Sequence, residues 1–545
     1  MVRNGIPLLV VVLVGLRTVG GLDPTYSSAL LYETCEASFV ATPQTVLEVQ
    51  EVVKDAREAN LTVKVVGNRL SATDIFCTDG VAVDMSNFQQ VDVDAENGLV
   101  TVGSGANFQR LHSELARAGY STIHPGGKFG GVSVGGALST GTHSSSLNHP
   151  STLADQAISM TLVNGLGEVV VATGDVLDAT AIGIGAVGVI VDVTLEIFPN
   201  FKIRMENKAH NESFMLNGEV IEMARGRDYL ALSWFPSTNS VVSTSGTYLP
   251  DLTTPGNDVA NYAFEKNPGS MAFSRRVEQA QADKNNKFFC DAEKGNVESW
   301  VTGKTGVKVF VNETGDFQNP AVGVMTNLLS QYCPVGGGCG WEGEDAFLSH
   351  EVEIAIDLEL FPAAIKRMKA FVESRRFCLL TLNGIGIRFG KQSTRHISPA
   401  SSSEVAWFEI VTPLRQDYTL AFHKMGVYAE LAQILYMEFG GRSHWGKGGN
   451  AMFINPYNPP SVLYPRWDKF LSARQELDPE GVFENEFIRR MLGTSRIKKT
   501  KYCAVYDQCV CGKNSHCPDT HRCKTKGDYG INYCTEKQTS RKMTG

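Results

Sequence analysis

Three segments of the chain gather residue types that can hold a ligand or bring charge to a reacting bond. The first is VVGNRLSATDIFCTDG (Val65–Gly80), where a strand-like run turns through Gly67, Asn68 and Arg69 and sets an apolar Leu70 beside Ser71. A glycine turn at a strand end brings successive backbone N–H groups close to an anion, a task for which leucine offers no polar atom. The second is the glycine-dense block Gly126–His143. Ordering so much glycine costs conformational entropy, which a ligand or very tight packing must offset. The third is SHWGK (Ser443–Lys447), which places an imidazole, an indole and an ammonium side by side. Alone, such a cluster is more often a surface turn. Its occurrence with the other two makes it a candidate.

Other chemistries are less well supported. GIGAVG (Gly183–Gly188) matches the dinucleotide fingerprint, but that motif needs a strand before it and a helix after it. Here VIVDVTLEIF follows, a strand by its β-branched alternation, so a Rossmann site is not expected. GKT at Gly303–Thr305 lacks the upstream glycine of a phosphate-binding P-loop. A Ser-His-Asp hydrolase and a catalytic metal are not expected. Histidines number eleven, so His143, His149 and His444 each carry weight, although a lone histidine is more often structural.

The elements that must position these segments follow from the bulk sequence. At 545 residues, with 43% apolar and 20% charged composition, the chain is a multi-domain globular protein. A net charge of −8 argues against a nucleic-acid partner. Arg3, the apolar run Ile6–Leu16 and the small residues Val19-Gly20-Gly21 have the pattern of a secretory signal peptide over 1–21. No other stretch is long and apolar enough for a membrane span. Twelve cysteines, six of them between Cys503 and Cys534, agree with an oxidising compartment and a disulfide-bonded tail whose pairing the sequence leaves open. A zinc module is the rival reading of the tail. Sequons at Asn60, Asn211 and Asn312 agree with a secreted glycoprotein.

Along the chain, Thr42 is expected to cap a helix with Pro43 at its first position and Val46, Val49, Val53 and Ala56 on one face. Strands are expected at Thr62–Val66, Val81–Met85 and Leu99–Val102, and a helix over Phe108–Ala118. The fold class is α+β. The expected organisation is a cofactor-binding domain over 30–200, a substrate domain over 201–440 and a segment over 441–498 that completes the active site. A Cys-rich tail follows over 499–545, and its partner is left open.

Together the three segments resemble the aldonolactone oxidase family of vanillyl-alcohol-oxidase-type FAD proteins. The family has a loop of the kind VVGxGHSxxDIxCTDG, then GGxxxxG…GTH, then HWGK, matched here at Val65–Gly80, Gly130–His143 and His444–Lys447. The Cys-rich tail and NGIGIRF (Asn383–Phe389) are most similar to the secreted plant-type L-gulonolactone oxidase branch. The resemblance implies a two-subdomain FAD-binding domain plus an α+β substrate (cap) domain. It implies oxidation of a sugar lactone with hydride passing to flavin N5, O2 as acceptor, and H2O2 and an ascorbate-type product. The implied cofactor contacts are Val66, Gly67, Asn68, Arg69, Leu70, Ser71, Gly127, Gly130, Gly131, Gly135, Ser139, Gly141, Thr142, His143, Val189 and Ile190. Lys447, Arg388 and His444 are implied at the reacting centre.

Three departures from the family pattern carry expectations. Leu70 stands where the oxidases carry the flavin-linking histidine, so the FAD is expected to be noncovalent. Gly386 stands where an acid often precedes the arginine, so that carboxylate is absent. Gly127, a small residue in the path of O2, favours an oxidase. The alternatives are a lactone dehydrogenase, an alditol oxidase, or a secreted binding protein without activity. The tail disulfides are expected to be dispensable for flavin binding.

Overall fold

The computed structural model describes residues 22–28, 33–127, 129–256, 260–261, 268–304, 310–312, 314–330, 349–375, 378–379, 384–413, 424–453, 458–506, 508–525 and 529–537. The expected signal peptide, Asn383, Cys333 and Cys339 lie outside them.

Two sheets form the N-terminal part. A parallel sheet has the order Phe39–Ala41, Val81–Asp84, Val63–Val66. The helix Val46–Glu58 covers it with Val49, Val52, Val53 and Ala56 buried. Its N-cap is Thr45, whose hydroxyl accepts the Glu48 N–H at 3.2 Å, so the helix begins three residues later than the Thr42–Pro43 signal suggested. Threonine caps well at either place, and the choice went to the residue whose hydroxyl reaches the exposed N–H groups of the first turn. The second sheet is antiparallel, in the order Val169–Ala172, Ala157–Val163, Val189–Glu196, Leu99–Gly103, Val91–Asp94. The strand following GIGAVG is thus the central strand of this sheet, as its alternation implied.

An eight-stranded antiparallel sheet follows: Ala321–Val324, Lys202–Asn211, Ser240–Leu249, Tyr229–Phe235, Ile385–Gly390, Val405–Pro413, Ser349–Asp357, Arg442–Ser443. Period-2 alternation divides its faces. Ile385, Ile387 and Phe389, with Ala406, Phe408 and Ile410, and Val352, Ile354 and Ile356, enter one core with the helices Phe361–Arg375 and Met425–Glu438. The opposite face then carries Gly386 and Arg388, Trp407 and Glu409, Glu351 and Glu353. After Ser443 the chain returns to the first core, where Trp467, Phe470, Phe487 and Ile488 are buried.

The tail cysteines pair as Cys503–Cys509, Cys511–Cys523 and Cys517–Cys534, which sets aside the zinc reading. Cys35–Cys77 ties the N-terminal strand region to the end of the first motif, and Cys290–Cys378 links two further segments. No helix among the described residues is long and apolar enough to cross a membrane.

Candidate active site

The first loop leaves the strand Val63–Val66 and reverses at Arg69, whose φ is 56°. A left-handed residue inside a short turn aims consecutive N–H groups to one side, the geometry of an anion nest. The backbone N–H groups of Asn68, Arg69, Leu70 and Ser71 find no protein acceptor among the described residues. The loop is fastened to the glycine block: Asn68 Nδ2 donates to the Gly131 carbonyl at 2.5 Å, and the position a Gly67 Cβ would take is 2.4 Å from Ser133 Oγ. At Gly131 a Cβ would meet no atom within 4 Å, so the block opens to free space there. A backbone-lined slot with unpaired N–H donors and a glycine floor suits the pyrophosphate of a dinucleotide, and the residues present fit FAD.

The other glycines of the block serve packing. Gly130 lies against Gln109 and Gly135 against Ser104. Gly141, at φ 73°, ends the helix Val134–Thr140 and touches Ile182. The Ser139 carbonyl accepts the Ile184 N–H at 3.0 Å. Gly127 is tightly packed. Its Cβ position is 2.5 Å from the Phe108 ring and 2.9 Å from the Thr142 methyl, so side chains fill the space beside this glycine. Val66 lies in the core, and Val189 and Ile190 pair with Val163 and Leu162 inside the second sheet. Gly131-Val132-Ser133-Val134-Gly135 also has the G-x-S-x-G spacing of a hydrolase elbow, which the sequence reading passed over. Ser133 is an N-cap whose hydroxyl accepts the Gly136 N–H, with no strand leading into it.

SHWGK is no surface turn. Ser443, His444 and Trp445 are buried, and the segment bridges two parts of the molecule. On one side, the Ala72 N–H donates to the Gly446 carbonyl at 2.7 Å and Thr73 Oγ1 to the Trp445 carbonyl at 3.4 Å. On the other, the N–H groups of His444 and Gly448 donate to the carbonyls of Glu353 and Glu351, each at 2.9 Å. The third motif is thereby laced to the first and to the large sheet.

What meets it there is a buried ion cluster. Lys447 Nζ is 3.1 Å from Glu353 and 3.3 Å from Glu351, and it is bonded to Glu409. Arg388 donates to Glu353 at 2.9 Å and to the other oxygen of Glu409. His143 Nε2 is 3.2 Å from Glu353. Glu353 and Glu409 are direct cross-strand partners, a repulsive placement for two acids unless cations stand between them. Arg388 and Lys447 are those cations. Burial opposes each charge, and the neighbours outweigh it. Glu353, Glu409 and Glu351 hold Lys447 above the ordinary ammonium range. Lys447, His143 and Arg388 hold Glu353 well below the carboxylate range.

His444 is held differently. Burial pushes it down to about 3, so its ring is neutral. Its Nδ1 accepts the Gly446 N–H at 3.0 Å, which leaves the ring proton on Nε2 as a donor. His143 stacks on Trp407 with centroids 4.1 Å apart, and His444 lies 5.7 Å from His143. Gly386 is opposite Glu409, and a Cβ there would be 3.3 Å from a Glu409 carboxylate oxygen. The carboxylate missing at Gly386 is therefore matched by one from the next strand. Sequence reasoning missed Glu351, Glu353, Trp407 and Glu409. The signal was present as the alternation of HEVEIAID and VAWFEIV, which sets Glu351, Glu353 and Asp357 on one phase of the first strand and Trp407 and Glu409 on one phase of the second.

Residues 37–173 match the FAD binding domain model, and residues 344–491 match that of D-arabinono-1,4-lactone oxidase. The chain is 26% identical over 478 residues to an L-gulono-1,4-lactone dehydrogenase of Mycobacterium tuberculosis, covering 87% of this chain and 100% of that one. It is 26% identical over 532 residues to L-gulonolactone oxidase 3 of Arabidopsis thaliana, covering 89% and 86%. Among solved structures it is similar in fold to the cholesterol oxidase of B. sterolicum, with a TM-score of 0.64 at 16% identity over 88% of this chain and 99% of that chain. The two matched segments hold the nest and the ion cluster respectively, and over most of its length the chain is similar to FAD-dependent lactone oxidoreductases.

Proposed function

We propose that the protein oxidises an aldono-1,4-lactone, of the L-gulono or L-galactono type, at a hydroxyl-bearing carbon, giving an ascorbate-type product, with O2 as acceptor and H2O2 formed. The observation that carries this reading is the Ala72–Gly446 hydrogen bond, which joins the nest edge to edge with the loop bearing Lys447. A dinucleotide in the nest would end beside the ion cluster. FAD bound there supplies the hydride acceptor at N5.

The chain's own residues bind and polarise the lactone. Gly67–Ser71 and Gly131 would hold the cofactor's pyrophosphate, with Ser139, Thr142, His143, Val189 and Ile190 as its further contacts. Lys447 and Arg388 face the lactone oxygens and stabilise the negative charge that grows on the hydroxyl oxygen as its proton is lost. His444 presents Nε2–H to a substrate oxygen, so it orients the hydroxyl instead of taking its proton. Glu409 accepts from a substrate hydroxyl, in the place a side chain at 386 would otherwise fill, and takes that proton as the hydride leaves the carbon. Leu70 has no nucleophilic atom, so the FAD is bound by shape and hydrogen bonds alone. Gly127, closed off by Phe108 and Thr142, lends the oxidase reading no support, which rests on the resemblance to oxidases.

The proposed division is a FAD-binding domain over 30–200, a substrate domain over 201–440, a returning segment over 441–498 and the tail over 499–545. Disulfides and the exposed sequon residues Asn60 and Asn211 support a secreted glycoprotein. The test is anaerobic mixing of the purified yellow protein with L-gulono- and L-galactono-1,4-lactone, followed by admission of O2 or an artificial acceptor. Bleaching by lactone with H2O2 formed in air is the expected result. Bleaching that only the artificial acceptor reverses assigns a dehydrogenase. A protein that takes up no FAD overturns the reading.

A further inference from the structure

The acids of the candidate site lie on a strand whose other face is turned away from it. Along Ser349–Asp357, Glu351 and Glu353 point to Lys447, while His350 and Val352 point backwards. Behind them is not solvent but the Cys-rich tail. Cys503, Ala504, Val505, Cys509 and Cys511 belong to the same buried core as Val352 and Ile410. A cavity of about 40 Å³ remains between His350, Val352 and Thr412 of the sheet and Val505, Cys509 and Cys534 of the tail. The tail also lies on the helix Met425–Glu438. There a Cβ on Gly426 would stand 2.8 Å from the Cys534 carbonyl, so backbone meets backbone. Arg367 donates to Tyr529 of the tail at 2.9 Å.

A second contact reaches the site from another direction. The loop that carries Lys447 continues through Gly448 and Gly449, at φ 82° and 55°, a pair of left-handed glycines that leaves its far end loosely constrained by its own sequence. That end is fixed by Asn450, which is buried and donates Nδ2 to the Gln508 carbonyl at 3.0 Å. Gln508 lies beside Cys509 inside the short Cys503–Cys509 cystine loop.

We propose that the tail is a positioning element of the substrate site: Gln508, fixed by the Cys503–Cys509 cystine, anchors Asn450 and so sets Lys447 against Glu351, Glu353 and Glu409. This rests on the proposed role of Lys447. Among the described residues no hydrogen bond joins Asn450 or the tail to the nest, so flavin retention should not depend on them, while placement of the ammonium does. Displacements well under a bond length at a charged reacting centre cost rate, so loss of the anchor should read in turnover.

The test uses the full chain with Asn450→Ala, with Cys503→Ser/Cys509→Ser, and with Cys290→Ser/Cys378→Ser as the control pair, whose Cys378 packs against a separate apolar cluster. Flavin content and visible spectrum should match the parent in all three. Flavin reduction at saturating lactone should slow about tenfold in the first two and not in the control. In a Lys447→Ala background, Asn450→Ala should cost nothing further. An equal additional loss there, or parental rates in both tail variants, overturns the proposal. Hydrogen exchange of the His444 and Gly448 amides is followed in parallel, since it needs no substrate. It should quicken in both tail variants, and unchanged protection overturns the proposal even if no lactone is turned over. Failure of the parent to be reduced by lactone, with quickened exchange in the variants, overturns the substrate reading alone.

Discussion

The proposed cofactor side and the proposed substrate side of this site are built from different materials. The nest is backbone: consecutive N–H groups of 68–71, a glycine floor at Gly131, and one side-chain clasp from Asn68. The substrate face is side chain: Arg388, Glu409, Glu353 and Glu351 come from three strands, and Lys447 from a loop laid across them. Backbone recognition needs shape and tolerates few added atoms. Side-chain recognition needs charge balance and tolerates few lost ones. Substitutions on the two sides should therefore fail in different assays.

The largest expected effect is on the charged side. Glu353→Gln keeps the shape and removes the anion shared by Lys447, Arg388 and His143. Breaking a buried ion cluster in this way costs roughly 3–5 kcal/mol. Urea unfolding of the variant should show that loss while added FAD still binds. A loss below about 1 kcal/mol would mean that the cluster is not a structural unit.

Lys447→Ala is next. Removing a charge aimed at a developing oxyanion lowers rate by about 10²–10³, so lactone-driven flavin reduction should slow by that much with FAD affinity nearly unchanged. Equal loss of both would move Lys447 to the cofactor side. The variant also has a pH signature. Glu353 and Glu409 have folded pKa values below their unfolded ones, so they stabilise the protein above the unfolded carboxylate range, and that stability disappears as pH falls through the folded values. Without Lys447 those folded values rise, and acid unfolding should begin at higher pH than in the parent.

These differences explain what the sequence disclosed. Gly67–Ser71, the glycine block and HWGK are contiguous because a backbone cradle must be made by neighbouring residues, and their order sufficed to read fold and cofactor. Arg388 was found because its motif is contiguous too. Glu353 and Glu409 lie 56 positions apart in sequence and meet only through the strand register Glu353↔Glu409, which no local pattern specifies. Gly127 has two readings in sequence for a related reason. A glycine in sequence shows that a Cβ is excluded, and only the fold shows whether a ligand path or the Phe108 ring excludes it. Thr42 and Thr45 offered the same capping chemistry three residues apart, so the helix start was settled by reach and not by residue type.

On the backbone side, two glycines of one block should separate cleanly. A Cβ at Gly131 meets nothing within 4 Å, so Gly131→Ala should leave the melting temperature of the FAD-free protein unchanged and weaken FAD binding about tenfold, as the cofactor loses its floor. Gly127→Ala drives a methyl to 2.5 Å from Phe108 and should cost about 1–3 kcal/mol in the FAD-free fold itself. Calorimetric melting and FAD titration of both variants test this. A Gly131 variant that loses stability without losing affinity would place the pyrophosphate elsewhere.

Leu70 gives the smallest effect and the sharpest distinction. It lies in the nest, half-buried, at the one place where the loop offers the cofactor a side chain and no polar atom. Acid precipitation should release all the flavin into the supernatant, and colour retained by the precipitated chain would contradict noncovalent binding. If the nest holds FAD through its N–H groups, Leu70 contributes only apolar cover, part of the roughly 1.5–3 kcal/mol that a fully buried leucine is worth. Leu70→Ala should then weaken FAD binding by about tenfold or less and leave the rate of lactone-driven reduction, measured on FAD-saturated protein, at the parental value. A fall in that rate without a fall in affinity would mean that the leucine sets the flavin's orientation toward the ion cluster, and the division between a backbone side and a side-chain side would no longer hold at this position.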